Sequence, residues 1–140
     1  MHKIVTVTLT AISIAFCAVI LFFTFFGERL YYDTKPKVEY VSLSMSVNGN
    51  RIVPASAVYE EGGKSYVYAI VPTTGFSAQI YTLSKIEITV NETVENYIYP
   101  GENALITVVD TLPSPGLNVV SKCNEEISDG IRVLPVESLE

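Results

Sequence analysis

The residues Ile4–Phe26 (IVTVTLTAISIAFCAVILFFTFF) constrain this chain more than any other stretch. They include no Asp, Glu, Lys, Arg, Asn, Gln, Gly or Pro. As a helix these 23 residues rise about 35 Å, at roughly 1.5 Å per residue. The hydrocarbon layer of a bilayer is about 30 Å thick. A helix also satisfies its own backbone donors and acceptors, as lipid demands. The hydroxyls of Thr6, Thr8, Thr10, Ser13 and Thr24 can bond back to carbonyls one turn earlier. The stretch predicts a single membrane-spanning helix, with residues 1–27 as anchor, 28–39 as tether and 40–140 as the domain it holds.

A cleaved signal peptide is the rival reading. Signals have apolar runs of about 7–15 residues and a small-x-small cleavage site. This run is longer and ends in Leu-Phe-Phe-Thr-Phe-Phe, which offers a peptidase no small residue. Lipidation at Cys17 is opposed by the bulky Phe16 before it. Basic flanks do not orient the span, because Lys3 lies before it and Arg29, Lys35 and Lys37 after it. The very short N-terminal tail and the Tyr- and Thr-rich sequence that follows argue for a single-pass protein of the cell membrane, with residues 28–140 outside the cytoplasm.

Gly27 suits a helix C-terminus. Tyr31 and Tyr32 fall where amphipathic rings favour the headgroup level, and Pro36 blocks helical continuation. With Lys3 set aside, residues 28–140 carry the other eight basic residues against fifteen acidic ones, a net charge near −7. That charge repels phosphate backbones and disfavours nucleic acid as a partner. Cys17 lies in the span and Cys123 near the far end, so the two cannot form a disulfide.

Beyond the tether the pattern is β throughout. Tyr40–Val47 alternates Val41, Leu43, Met45 and Val47 against Ser42, Ser44 and Ser46, as a half-buried strand does. Asn48-Gly49 is a strong hairpin signal, with a return strand from Arg51 that ends at Pro54. Residues 60–64 (EEGGK) read as a second turn. Ser65–Val71, Ala78–Leu83, Lys85–Val90, Val94–Tyr99, Ala104–Val109, Leu117–Ser121 and Gly130–Val136 read as further strands. Pro72–Gly75 reads as a loop and Asn91–Glu95 as a polar turn. About eight short strands at such spacing predict a small antiparallel β-barrel or sandwich.

Little in the domain points to catalysis. The one histidine, His2, precedes the span, so neither a Ser-His-Asp nor a Cys-His set can assemble beyond it. One Cys without His gives no zinc spacing. Gly62-Gly63 lacks the remainder of a phosphate-binding loop. The acidic groups Glu60/Glu61, Glu92/Glu95 and Glu125/Glu126/Asp129 sit in expected turns, and none follows a calcium-loop pattern. Tyr66 with Tyr68, and Tyr97 with Tyr99, could form a sugar-binding platform, although such spacing is commonly plain sheet packing. No cofactor is expected, and the chain reads as a non-enzyme.

From Arg51 onward the order of pieces resembles a known family. Ile52-Val53-Pro54-Ala55-Ser56-Ala57-Val58 is followed by the turn Glu61-Gly62-Gly63-Lys64 and by Tyr66-Val67-Tyr68. Lys85-Ile86-Glu87-Ile88, Val119-Val120-Ser121 and Ile127–Val133 follow in turn. This resembles the barrel and membrane-proximal region of membrane fusion proteins, the HlyD-like periplasmic adaptors of efflux and secretion pumps, over roughly residues 40–136. Adaptors of that kind also carry a lipoyl-like domain and usually a long helical hairpin, whereas Lys37–Tyr40 leads here straight into the first strand. The resemblance implies a membrane-anchored accessory subunit that docks on the extracytoplasmic face of a transporter permease, or on another adaptor. The expected contact residues are Val53, Pro54, Ala55, Ser56 and Val58, beside the Tyr40–Ile52 hairpin. The alternative is an anchored extracellular module that binds a ligand or cell wall through its tyrosines.

Overall fold

A computed structural model of the chain describes residues 2–43, 46–47, 50–76, 78–109, 111–113 and 116–139. Helix α1 (His2–Tyr32) contains the whole apolar stretch. It is the one described helix long and apolar enough to cross a membrane. Residues 4–26 are exposed on every side, unlike the helix of a soluble core. Thr8, Thr10 and Thr24 donate their hydroxyls to the carbonyls of Ile4, Thr6 and Ile20 at 2.8–2.9 Å, so these polar groups are satisfied within the helix. Gly27, expected at the helix end, lies inside it. The helix stops only before Pro36, with Lys35 Nζ lying 3.6 Å above the Tyr31 ring.

Among the described residues ten strands follow: β1 (Lys37–Ser42), β2 (Ser46–Val47), β3 (Asn50–Pro54), β4 (Tyr59–Glu61), β5 (Lys64–Thr74), β6 (Gln79–Ile88), β7 (Val90–Glu95), β8 (Ala104–Val109), β9 (Asn118–Cys123) and β10 (Arg132–Val136). A short 3-10 turn, Ala55–Ala57, joins β3 to β4. Strands β5, β6, β10, β1 and β9 pair in that order, and β9 returns to β5 through Ala69↔Val119, closing a five-stranded barrel. Strand β4 extends β5 outward. A second sheet runs β2-β3-β8-β7. The chain crosses from barrel to second sheet and back twice.

The antiparallel barrel expected from the sequence is therefore only partly so, since β1 and β10 run parallel (Lys37↔Leu134, Val38↔Pro135). The reason is geometric. Strand directions cannot alternate all the way round a ring with an odd number of strands, so at least one neighbouring pair must be parallel.

Two hydrophobic clusters fill the domain. Val38, Tyr68, Ile70, Leu83, Val120 and Val133 draw on all five barrel strands and fill the barrel interior. Leu43, Val53, Ala57, Val67, Ile88, Val108, Leu112 and Val119 join the barrel wall to the second sheet. Strand β5 is consequently buried at four successive residues, Val67 to Ile70, instead of on alternate ones.

Several elements differ from the sequence expectation. Tyr40–Val47 is not one strand: β1 ends at Ser42 and β2 belongs to the other sheet. A bulge between Glu39 and Tyr40 shifts the register against β9. Asn48-Gly49 lies outside the described residues, but Val47↔Asn50 and Ser46↔Arg51 pair antiparallel around it. The Gly62-Gly63 turn has φ of 60° and 78°, the positive pair that a tight two-residue hairpin requires. Pro72–Thr74, expected in a loop, extends β5, and β6 runs unbroken through Ser84, because the two strands pair from Ser65↔Ile88 to Thr74↔Gln79. Asn91–Glu95, expected as a turn, lies in β7, an edge strand whose polar side chains stay in solvent. The expected strand Val94–Tyr99 stops at Glu95, where Asn96 Oδ1 accepts the N–H groups of Ile98 and Tyr99 at 3.0 Å and turns the chain.

Leu105, on β8, is fully buried. Its truncation to Ala is expected to lower unfolding free energy by about 2–5 kcal/mol through lost burial and a residual cavity. Val90→Ala, at an exposed edge position, should shift the denaturant midpoint far less.

Candidate functional site

The region that distinguishes this domain from a free barrel is its junction with α1. Tyr32 is only 6% exposed. Its hydroxyl donates to the Val133 carbonyl and accepts the Tyr81 N–H at 3.3 Å. The chain that enters β1 is held to the domain as well, at Pro36 and Lys37. Leu134 N–H donates to the Pro36 carbonyl at 2.8 Å, Asn124 N–H to the Lys37 carbonyl at 3.2 Å, and Lys37 N–H to Asn124 Oδ1 at 2.8 Å. The helix is thus fastened to β6, β10 and the loop between β9 and β10. Successive helix residues lie about 100° apart, so Tyr31 stays exposed while Tyr32 enters the domain. Nothing local in the sequence separates the two tyrosines. Only the position of the barrel does.

The Val53–Val58 block behaves differently from a simple contact surface. Val53 and Pro54 end β3 fully buried, and Ala57 is also buried. Val53 and Ala57 pack the cluster between barrel and second sheet, and Val53 and Pro54 are both withdrawn from the surface of the folded chain. Ala55, Ser56 and Val58 remain partly exposed. Ser56 Oγ donates to Glu102 Oε1 at 2.6 Å, which ties the block to the β7–β8 loop.

The tyrosine pairs are not brought together as one platform. Tyr68 is buried in the barrel and meets Tyr59 edge-on at 5.1 Å. Tyr66 lies under Lys85, whose Nζ is 4.1 Å from the ring centroid. Tyr97 is exposed and Tyr99 half-buried. Tyr99 instead shares a cleft of about 390 Å³ with Tyr40, Glu39, Glu102 and Lys122, between β1, β9 and the β7–β8 loop. Tyr40 was not expected there, because its neighbour in the cleft is about sixty residues away in the chain.

Electrostatic features are few. Burial, then the neighbouring Cys123, holds the Tyr59 hydroxyl protonated well above the ordinary tyrosine range. Lys85 pairs with Glu61, and that hydrogen bond raises its pKa. Lys64 pairs with Glu87 at 2.9 Å. Among the described residues no three His, Cys, Asp or Glu side chains converge as a metal site would need. No protein-family model, curated protein or solved structure matches the chain.

Two outcomes follow from this geometry. Tyr32→Phe keeps the ring and removes both hydroxyl contacts, at a cost of about 1–3 kcal/mol for buried groups left unsatisfied. In detergent, trypsin should then cut at Arg29 and Lys37 severalfold faster than in the parent chain. Tyr59 keeps its proton in the folded state above the pH at which the unfolded chain, with a tyrosine pKa of about 10, loses it. Its contribution to stability is complete below about pH 10 and declines as the pH rises further toward the folded pKa. Tyr59→Phe should flatten that alkaline decline in denaturant titrations.

Proposed function

We propose that this chain is a non-enzymatic, membrane-anchored accessory subunit of an efflux or secretion transporter, with its β domain standing on the extracytoplasmic side. The observation that carries the reading is the pairing of a fully exposed apolar helix with a domain fastened to its end through Tyr32. A helix exposed on all sides needs a solvent other than water. Fastening its last turn into the barrel gives the domain a set height and tilt above that solvent, which suits docking beside another membrane protein. Cleavage after the apolar run would sever Tyr32 from the span, so the junction favours an uncleaved anchor. The resemblance of residues 52–68 to adaptor proteins supplies the partner class, and Ala55, Ser56 and Val58 are the members of that block left available for contact.

A second reading rests on the cleft lined by Tyr40 and Tyr99. Two tyrosines flanked by Glu39, Glu102 and Lys122 are the composition of a small polar-ligand site, and an anchored ligand- or wall-binding module would use it.

One experiment separates the two. The full-length chain, cross-linked in its native membrane and purified in detergent, is expected to bring down a permease, with yield reduced by Ser56→Arg and unaffected by Tyr99→Ala. Recovery of the chain alone in repeated preparations, together with glycan or small-molecule binding abolished by Tyr99→Ala, would favour the second reading.

A further inference from the structure

We propose that the tip of the β5–β6 hairpin is a second membrane contact, with Phe76 seated in the interfacial layer of the bilayer that α1 crosses. The inference rests on the anchoring reading above and adds to it a lipid contact made by the β domain itself.

Three independent observations converge on this tip. The first is position. A Cβ added to Gly75 would come within 2.5 Å of Glu28 Oε1 and 2.6 Å of the Ala78 carbonyl, so the tip lies directly against α1 at Glu28. Glu28 follows the last apolar residue, Phe26, by two positions, and follows Phe23, the twentieth residue from Ile4, by five. At about 1.5 Å per residue, Glu28 therefore stands roughly 3–8 Å beyond the hydrocarbon edge, whichever twenty residues of Ile4–Phe26 fill it. The interfacial layer on each side of a bilayer is about 5–8 Å deep. The tip lies at that depth by construction of the fold.

The second observation is exposure. Phe76 is 75% exposed, the highest value among the large hydrophobic side chains of the β domain. Val71 is exposed as well, and Pro72, Thr73 and Thr74 around it are open. Strand β10 pairs with β6 only at Tyr81 and Thr82, so the paired ends Thr73–Thr74 and Gln79–Ile80 extend past the barrel rim. Among the described residues no aromatic ring pairs with Phe76, while the interfacial layer favours an aromatic side chain.

The third is charge. Residues 28–140 contain twenty-three charged side chains, yet the twenty residues Ser65–Ser84 contain none. Charge returns on the hairpin at Lys64, Lys85 and Glu87. Lys85 sits opposite Tyr68, six residues back from Thr74, or about 20 Å at roughly 3.3 Å per residue. The hairpin is thus polarised, with a neutral tip beside the anchor and its ion pairs at the far end. The domain as a whole is acidic, and an anionic membrane repels it. The tip itself is neutral and aromatic, and apart from the Glu28 carboxylate of α1 beside it it approaches lipid with less of that penalty than the charged far end of the hairpin.

The chain has no tryptophan, so single substitutions act as clean probes. Phe76→Trp, Phe16→Trp in mid-span and Tyr97→Trp in the exposed β7–β8 loop are each made in the full-length chain. Each is reconstituted in phosphatidylcholine vesicles containing lipids spin-labelled near the headgroup or deep in the acyl chain. The Phe16→Trp emission is expected to be quenched by the deep label. Phe76→Trp should emit to the blue of Tyr97→Trp, be quenched by the shallow label, and show a severalfold lower iodide quenching constant. A Phe76→Trp probe as red and as iodide-accessible as Tyr97→Trp, with Phe16→Trp still quenched at depth, would overturn the hairpin contact alone and leave any role for the tip to a protein partner. Failure of the deep label to quench Phe16→Trp would overturn the anchoring reading, and the hairpin contact with it.

Discussion

Strands β5 and β9 belong to two cores at once, and the domain depends on that sharing. Along β5, Tyr68 and Ile70 face the barrel interior while Val67 packs toward the second sheet. Along β9, Val120 faces the interior and Val119 the second sheet. The closing pair Ala69↔Val119 lies between them, and the small Ala69 side chain, itself buried, lets the two strands approach. Closure removes the open edges that would otherwise template pairing with other chains. The edges that remain among the described residues are β4, short and acidic at Glu60 and Glu61, β2, only two residues long, and β7, which carries its polar residues outward.

The helix–barrel junction is the second constraint. A tyrosine one turn past an apolar stretch is ordinarily an interfacial anchor, and Tyr31 keeps that character under Lys35. Tyr32 is turned into the domain, where its hydroxyl links β10 to β6. Backbone bonds from Pro36 and Lys37 to β10 and Asn124 continue the fastening. The expected tether of residues 28–39 is thereby reduced to the short segment between Tyr32 and Lys37. A helix joined this stiffly passes its own orientation to the barrel, and the hairpin lying against Glu28 keeps a constant position along that helix.

The surface of the domain carries few isolated electrostatic features. Its charged groups pair along strands, as Lys64 does with Glu87 and Lys85 with Glu61. The cleft between Tyr40 and Tyr99 is open and mixed in charge. Around these features the surface is acidic, except for the uncharged hairpin beside the anchor.

Much of this was legible in the residues themselves. The length and purity of Ile4–Phe26 determined a helix suited to lipid, and period-two alternation with Gly and Pro punctuation determined a β domain after it. Strand β8 and the Glu61–Lys64 hairpin follow directly from local chemistry, because each is set by the residues it contains. The split of Tyr40–Val47 between two sheets, the burial of Val53 and Pro54, and the inward turn of Tyr32 were not legible in that way. Each depends on which distant strand arrives as a neighbour, and side-chain type alone does not encode a neighbour. Tertiary structure alone decided that an odd-stranded ring closes with one parallel pair, and that this closure brings Gly75 against Glu28, because both follow from how the strands meet in space and not from any local run of sequence.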